Sequence, residues 1–444
     1  GNLIAQLNWA QRQGFTFRGH TLVWHSQTPG TSFFRSGYTN TGARLSKEQM
    51  TARLDNYIKE VIRLLHEGWP GLLTAMDVVN EAVNDNGEDR TTDSEWYVTF
   101  GDNSYLMKAF EVTRKWTVHY GETQIKLYCN DYNTHNPAKA GGIVRICTPI
   151  FQAGYLDGIG MQDHDSNSSP TAAQWIASYN KFDPICMEMA VTELDVTTGS
   201  ANPSSAVLAT QANQYGQLFK CFVERSYFSG RGKIINVSKD GLNDQYTFKT
   251  NQSSSLWDAR YQCKSAFFAV VNVGRNYNAL DSLFSYADSL HANDYTAESW
   301  TIFAAALAAA QNAKSQNYSA SVSAADALGN AKDLLQAAIA GLVRATTNVK
   351  DFNGNVPKVF VLNQNYPNPF NPTTQIGYSV SQNGFVSLKV YDFLGKEVAT
   401  LFEGIRASGN YTATFDARQL ASGVYLYRMQ AGNFWATKKL VLAR

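Results

Sequence analysis

From Phe15 to about Val273, short β-rich apolar runs alternate with longer stretches of helical periodicity, and this alternation admits few folds. Successive parallel strands need crossover connections, so repeated strand–helix units build a parallel sheet covered by helices. Six strand-like runs stand out: Phe15 to Thr21, Met76 to Asn80, Lys126 to Asn130, Gly158 to Gln162, Met189 to Glu193, and Ile234 to Val237. Between them lie helical patterns. In Ser46 to His66, Ser46 and Gln49 form a capping box, and Met50, Leu54, Tyr57, Ile58, Val61 and Leu65 line one side. Tyr105 to Trp116, Thr171 to Phe182, Ser205 to Glu224 and Leu256 to Val271 read the same way. At the start, Leu3, Ile4, Leu7 and Ala10 share a helix face, so the spacing predicts a helix rather than a signal peptide and a chain that begins inside a domain.

At roughly 150 residues per domain, 444 residues suggest about three domains. Composition shifts divide the chain accordingly. The α/β region occupies 1–275, and Ala-rich helix formers, periodic near Ser299 to Ala313 and Ala324 to Val343, fill a small helical module at 276–347. A polar linker follows at 348–357. In 358–444, Pro and Gly punctuate seven short alternating runs, including Gln375 to Val380, Phe385 to Asp392, Tyr411 to Asp416, Gly423 to Gln430 and Phe434 to Leu442, as in a β-sandwich.

Charge narrows the partners. With 38 Lys and Arg against 37 Asp and Glu, the chain lacks the net positive field that recruits nucleic acid or an anionic membrane. No uncharged apolar run reaches the ~18 residues of a membrane span. The five cysteines form no C-x-x-C pair, and buried free thiols are the expectation.

Two strands end on carboxylates, in Asp77-Val78-Val79-Asn80-Glu81 and Thr192-Glu193-Leu194-Asp195. In a parallel α/β barrel the carboxyl ends of the strands converge on one mouth, so these distant glutamates can face each other there. Such a pair suits glycoside hydrolysis, one carboxylic acid protonating the leaving oxygen while the other attacks the anomeric carbon or activates water. A single strand-end Glu would ordinarily be a helix cap or a surface ion pair. Here the other strand ends add His20, Trp24 and His25, then Asn130, Asp131 and Tyr132, then Gln162 and His164. Amides and imidazoles hydrogen-bond sugar hydroxyls, and indole and phenol rings offer flat faces to a pyranose, so a neutral, hydroxyl-rich substrate fits. His20, His25 and His164 lack a standard ligand spacing, and neither metal nor cofactor is expected.

These residues resemble, in order, the strand-end motifs of family 10 glycoside hydrolases: RGHTLVWHSQTP from Arg18, DVVNEAV from Asp77, YCNDYN from Tyr128, DGIGMQDH from Asp157 and VTELDV from Val191. Members are mostly endo-β-1,4-xylanases built on a (β/α)8 TIM barrel. The resemblance implies a retaining mechanism, with Glu81 as general acid/base and Glu193 as the nucleophile. Asn80 would bind the sugar 2-hydroxyl, His20 and Trp24 would line the subsite of the attacked sugar, Gln162 would contact it, and Tyr132 would join the substrate-binding set. His164 would hydrogen-bond the nucleophile. The first residue must carry a proton when the second does not, so their surroundings must differ.

The pattern departs from the family in three places. The family's first two strands, with their Glu-Asn-x-x-Lys-type motif, are absent, so the expectation is an incomplete barrel from a longer or truncated protein, with open sheet edges. Asp240 and Phe248 stand where the family usually has tryptophans, and Gly30 to Arg44 is read as a solvated loop in preference to an extension of the cleft rim. The alternatives are a carbohydrate-binding surface protein with a decayed barrel and a β-1,4-glucanase. Tyr295 to Trp300 and the following Ala-Leu run resemble the helical repeats called FIVAR. Leu362 to Pro372, Leu420 to Tyr425 and Lys438 to Leu442 resemble the type A C-terminal sorting domain of the type IX secretion system. The whole is thus read as a multidomain chain: a TIM barrel lacking two strands, a small all-α module and an all-β immunoglobulin-like sandwich. It would be exported to the surface or medium of a Gram-negative bacterium, with xylan or xylo-oligosaccharides and the type IX machinery as partners.

Overall fold

A computed structural model describes residues 2–27, 29–227, 230–316, 323–345, 357–392 and 395–443. The chain divides into two compact units, 1–274 with 317–325, and 275–316 with 326–444. The expected linker at 348–357 lies, apart from Pro357, outside the described residues.

The first unit opens with α1 (Asn2–Gln13) and β1 (Phe17–Trp24), followed by α2 (Lys47–Gly68), β2 (Leu73–Asn80), α3 (Glu95–Phe100), α4 (Ser104–His119) and β3 (Lys126–Asp131). It continues through α5 (Pro137–Gln152), β4 (Gly158–Met161), β5 (His164–Ser166), α6 (Ala172–Phe182), β6 (Glu188–Thr197), α7 (Ser205–Ser226), β7 (Lys233–Lys239) and the start of α8 (Ser265–Ala287). The strands pair in parallel, β1 to β2 to β3 to β4 to β6 to β7. β4 and β5 both lie along β6, separated only by Gln162 and Asp163, whose φ of 55° breaks the strand. Among the described residues β1 and β7 are not paired with each other, so the sheet stays open at both ends.

Local chemistry explains several boundaries. Ser46 accepts from the Gln49 amide while Gln49 accepts from that of Ser46, and Thr171 and Gln174 repeat the arrangement at α6. These reciprocal bonds satisfy helix-end donors that would otherwise lack partners. On α2, Met50, Leu54, Ile58 and Ile62 are buried at helical spacing against the sheet. β3 is buried along nearly its whole length, as expected of a parallel strand covered on both faces.

Three expectations need correction. The segment 30–44 is only in part a solvated loop: most of it is exposed, but it forms two short 3-10 turns anchored by Phe34, which is 1 % exposed with its ring edge-on to Trp96 at 4.9 Å. The last helix of this unit starts at Ser265 rather than Leu256, because Asp258 accepts from the main-chain N–H groups of Arg260 and Gln262 and Tyr261 has a φ of 61°, which makes a turn of that stretch. Four of the five thiols are buried, but Cys263 is exposed.

In the second unit, α9 (Ala297–Ser315) and α10 (Ala324–Ala340) accompany the rest of α8, α10 starting two residues inside the first unit. Then come β8 (Val361–Leu362), β9 (Thr373–Val380), β10 (Gly384–Tyr391), β11 (Glu397–Arg406), β12 (Gly409–Asp416), β13 (Gly423–Ala431) and β14 (Phe434–Leu442). They form an antiparallel sheet ordered β11-β10-β13-β14 and a second ordered β12-β9-β8. Alternate side chains of both sheets, such as Ile376 and Tyr378 of β9 and Leu388 and Val390 of β10, share one core.

Candidate active site

The carboxyl ends of the parallel strands bring the expected residues together. Glu81 follows the last residue of β2, and its main-chain N–H donates to the Asn130 carbonyl at the end of β3 (2.8 Å). Glu193 lies within β6 and donates its N–H to the Gln162 carbonyl (3.1 Å). An unbroken chain of side-chain hydrogen bonds joins the two carboxylates. Gln162 Nε2 donates to Glu81 Oε1 (3.2 Å) and to Asn80 Oδ1 (3.1 Å). Asn130 Nδ2 donates to the same Asn80 oxygen (3.0 Å) and to Glu193 Oε1 (3.1 Å). Thr192 in turn donates its hydroxyl to Asn130 Oδ1 at 2.7 Å, which fixes the orientation of that amide. Asn80 Nδ2 is buried and has no hydrogen-bond partner among the described residues. A buried donor left this way costs free energy unless a ligand or water accepts from it.

The two carboxylates have different surroundings. Trp24 donates its indole N–H to Glu81 Oε2 (3.0 Å), and His25 Nδ1 lies 3.8 Å from the same oxygen. Burial, then the nearby Arg90 cation, hold the His25 imidazole below its ordinary range and so favour its neutral form. Glu193 instead faces His164. Its Oε2 lies 3.2 Å from Nε2 of that ring, and Asp195 Oδ2 lies 2.8 Å from Nδ1. Burial opposes charge on the ring, but the hydrogen bonds to Asp195 and Glu193 outweigh it and push the imidazole up to about 9. At neutral pH the ring is then an imidazolium donating to both carboxylates. β5 makes this possible by pairing with β6 so that His164 stands beside Asp195.

His20 and Trp24 stand on β1 with ring centroids 6.0 Å apart. The buried Asp77 holds His20 through Nδ1 (3.0 Å) and also pairs with Arg18. Tyr132 is held differently from the open platform that sequence alone suggests: Lys139 Nζ lies 3.1 Å from its ring centroid, and its hydroxyl accepts from Arg90 (3.2 Å). Asp240 accepts from the Thr247 hydroxyl (3.0 Å), and Phe248 meets His164 edge-on at 4.8 Å. Sequence reading missed Arg90 and Lys139, the buried partner of Asp131. Neither shares a motif with a strand end at a spacing that points back to the site.

The fold and the site together define a parallel α/β protein carrying a linked pair of carboxylates at its strand ends. The chain belongs to glycosyl hydrolase family 10, whose model matches residues 2–273; residues 364–443 match the secretion system C-terminal sorting domain. A bifunctional endo-1,4-beta-xylanase of Ruminococcus flavefaciens is 35 % identical over 272 residues, 61 % of this chain and 27 % of that protein. The chain likewise spans about a quarter of the endo-1,4-beta-xylanases of Acetivibrio thermocellus (26 %) and Thermotoga neapolitana (24 %). A putative endo-1,4-beta-xylanase of Caldicellulosiruptor saccharolyticus is 30 % identical, over 62 % of this chain and 90 % of its own length. Among solved structures, the CBM22-1 and GH10 modules of a Clostridium thermocellum endo-1,4-beta-D-xylanase, complexed with xylohexaose, superpose with a TM-score of 0.56 at 34 % identity, covering 61 % of this chain and 54 % of that one. An intracellular xylanase of Thermoanaerobacterium saccharolyticum, as a mutant bound to xylotetraose, gives 0.53 at 30 % identity, covering 60 % and 78 %.

Proposed function

We propose that the first unit performs retaining endo-hydrolysis of β-1,4-xylosidic bonds in xylan. The observation that carries this reading is the chain of hydrogen bonds from Glu81 through Gln162, Asn80 and Asn130 to Glu193, which links two carboxylates across one mouth of the sheet. Glu81 donates its proton to the glycosidic oxygen as the bond to the anomeric carbon breaks. Glu193 attacks that carbon and forms a glycosyl-enzyme. Glu81, now ionised, takes a proton from water, which attacks the same carbon and releases the sugar with its original configuration. The hydrogen bond from His164 holds and aims the Glu193 carboxylate. The unpartnered Asn80 Nδ2 is the donor for the sugar 2-hydroxyl, and His20 and Trp24 line the subsite beside it. Names of the relatives support xylan as the polymer.

Residues 358–444 serve export to the cell surface or medium of a Gram-negative bacterium through the type IX machinery, with the helical segment 276–347 as spacer. The catalytic reading is tested by reducing-sugar release from xylan. Wild type releases sugars of β configuration, and Glu193→Gln releases none. Undiminished activity in that variant removes the assignment, whereas faster release from β-1,4-glucan than from xylan favours a glucanase.

A further inference from the structure

Glu81 has a φ of 53°, a left-handed backbone that a residue with a side chain adopts only under constraint from its surroundings. Its main-chain N–H is fixed by the Asn130 carbonyl at 2.8 Å. Its main-chain oxygen is fixed by Arg90, whose Nε donates to it at 2.8 Å. Arg90 is 8 % exposed, and all three of its nitrogens are engaged: the others donate to the Tyr132 hydroxyl (3.2 Å) and to Asp93 Oδ2 (2.7 Å). The guanidinium therefore ties the segment after β2 to Tyr132 in the segment after β3. The intervening turn is packed without slack. Gly87 has a φ of 78°, and a Cβ built there would sit 2.2 Å from the Ala138 carbonyl oxygen on α5.

We propose that Arg90 is a positioning residue for the acid step: by clamping the Glu81 carbonyl it holds the Glu81 carboxyl where the leaving oxygen must receive its proton. This rests on the reading of Glu81 as acid/base given above. Arg90 itself touches no reacting atom. A planar guanidinium can serve a carbonyl, a phenol and a carboxylate at once in a fixed fork, and an ammonium at the end of a lysine stem cannot reproduce that geometry. Misplacing a catalytic group by a fraction of an ångström weakens only the steps that use it.

The test separates the acid step from everything else. Full-length wild type and Arg90→Lys are compared on two xylobiosides, one with a poor leaving group that needs protonation and one with a strongly activated aryl leaving group that does not. Active sites are counted first with an activated 2-deoxy-2-fluoro-xylobioside, which is trapped on Glu193 and so reports correctly folded sites. The expected result is a loss of about 10- to 100-fold in kcat/KM per titrated site on the poor leaving group, a fraction of what general acid catalysis supplies, with the activated substrate changed by less than about 3-fold. Equal loss on both substrates, or loss on neither, overturns the proposal. Wild type that is not trapped at all refutes the catalytic reading instead. If Arg90→Lys gives no folded sites, Asp93→Ala removes the guanidinium's half-exposed partner and is read in the same two-substrate ratio. A smaller shift in the same direction supports the clamp, and an unchanged ratio overturns it.

Discussion

Lys139 Nζ lies 2.9 Å from Asp131 Oδ1, and both side chains are at most 1 % exposed. Burial drives the Asp131 carboxyl up to about 6, even though the Lys139 cation pulls in the opposite direction. Removing one partner of a buried pair leaves an uncompensated charge, so Lys139→Met should cost about 3–5 kcal/mol in denaturant unfolding of the first unit. Lys139→Met combined with Asp131→Asn should recover much of that loss. A single variant as stable as wild type would show that the pair is not coupled.

His164 gives a pH prediction with a definite sign. Its folded value, raised to about 9, exceeds the ordinary 6.5 of an exposed imidazole. A raised value means that the stabilisation is fully present below about 6.5 and is lost as pH rises towards about 9. Unfolding midpoints of wild type should therefore fall across that window, and His164→Gln should flatten this part of the profile. Parallel profiles for the two proteins would contradict the imidazolium between Glu193 and Asp195.

Phe34 tests the anchor of the segment 30–44. Its ring is buried against Trp96, so Phe34→Ala should cost about 3–5 kcal/mol, the usual penalty for emptying an aromatic site. A solvated loop would lose less than about 0.5 kcal/mol. Denaturant titration followed by tryptophan fluorescence distinguishes the two.

Export has its own assay. A reporter fused to residues 358–444 should reach the surface or medium of a cell that carries type IX machinery. Retention in the periplasm would remove the assigned role of the sandwich.

Much of the site was legible in sequence because a parallel strand announces its carboxyl end. The apolar run stops and polar residues follow, as at Asn80-Glu81, Asn130-Asp131 and Gln162. Capping boxes at Ser46 and Thr171 likewise fix helix starts by local chemistry. Tertiary contacts were not legible. β6 runs on to Thr197, past Glu193, because Leu194 and Val196 are buried and Asp195 is engaged by His164, a partner supplied by another strand. Leu256 to Lys264 read as the start of a helix, yet Asp258 accepts from the main-chain N–H groups of Arg260 and Gln262, and Lys264 pairs with Asp244. Arg90 was invisible for the same reason, since a single arginine nine positions after a glutamate carries no sign that it reaches back to that residue's carbonyl.

The open sheet has a consequence for how the first unit breathes. Among the described residues, β3 and β4 are flanked on both sides, whereas β1 and β7 each pair with one strand, so one row of main-chain amides on each has no strand partner there. Deuterium uptake should follow that order, slowest in the middle of the sheet and fastest along its two rims.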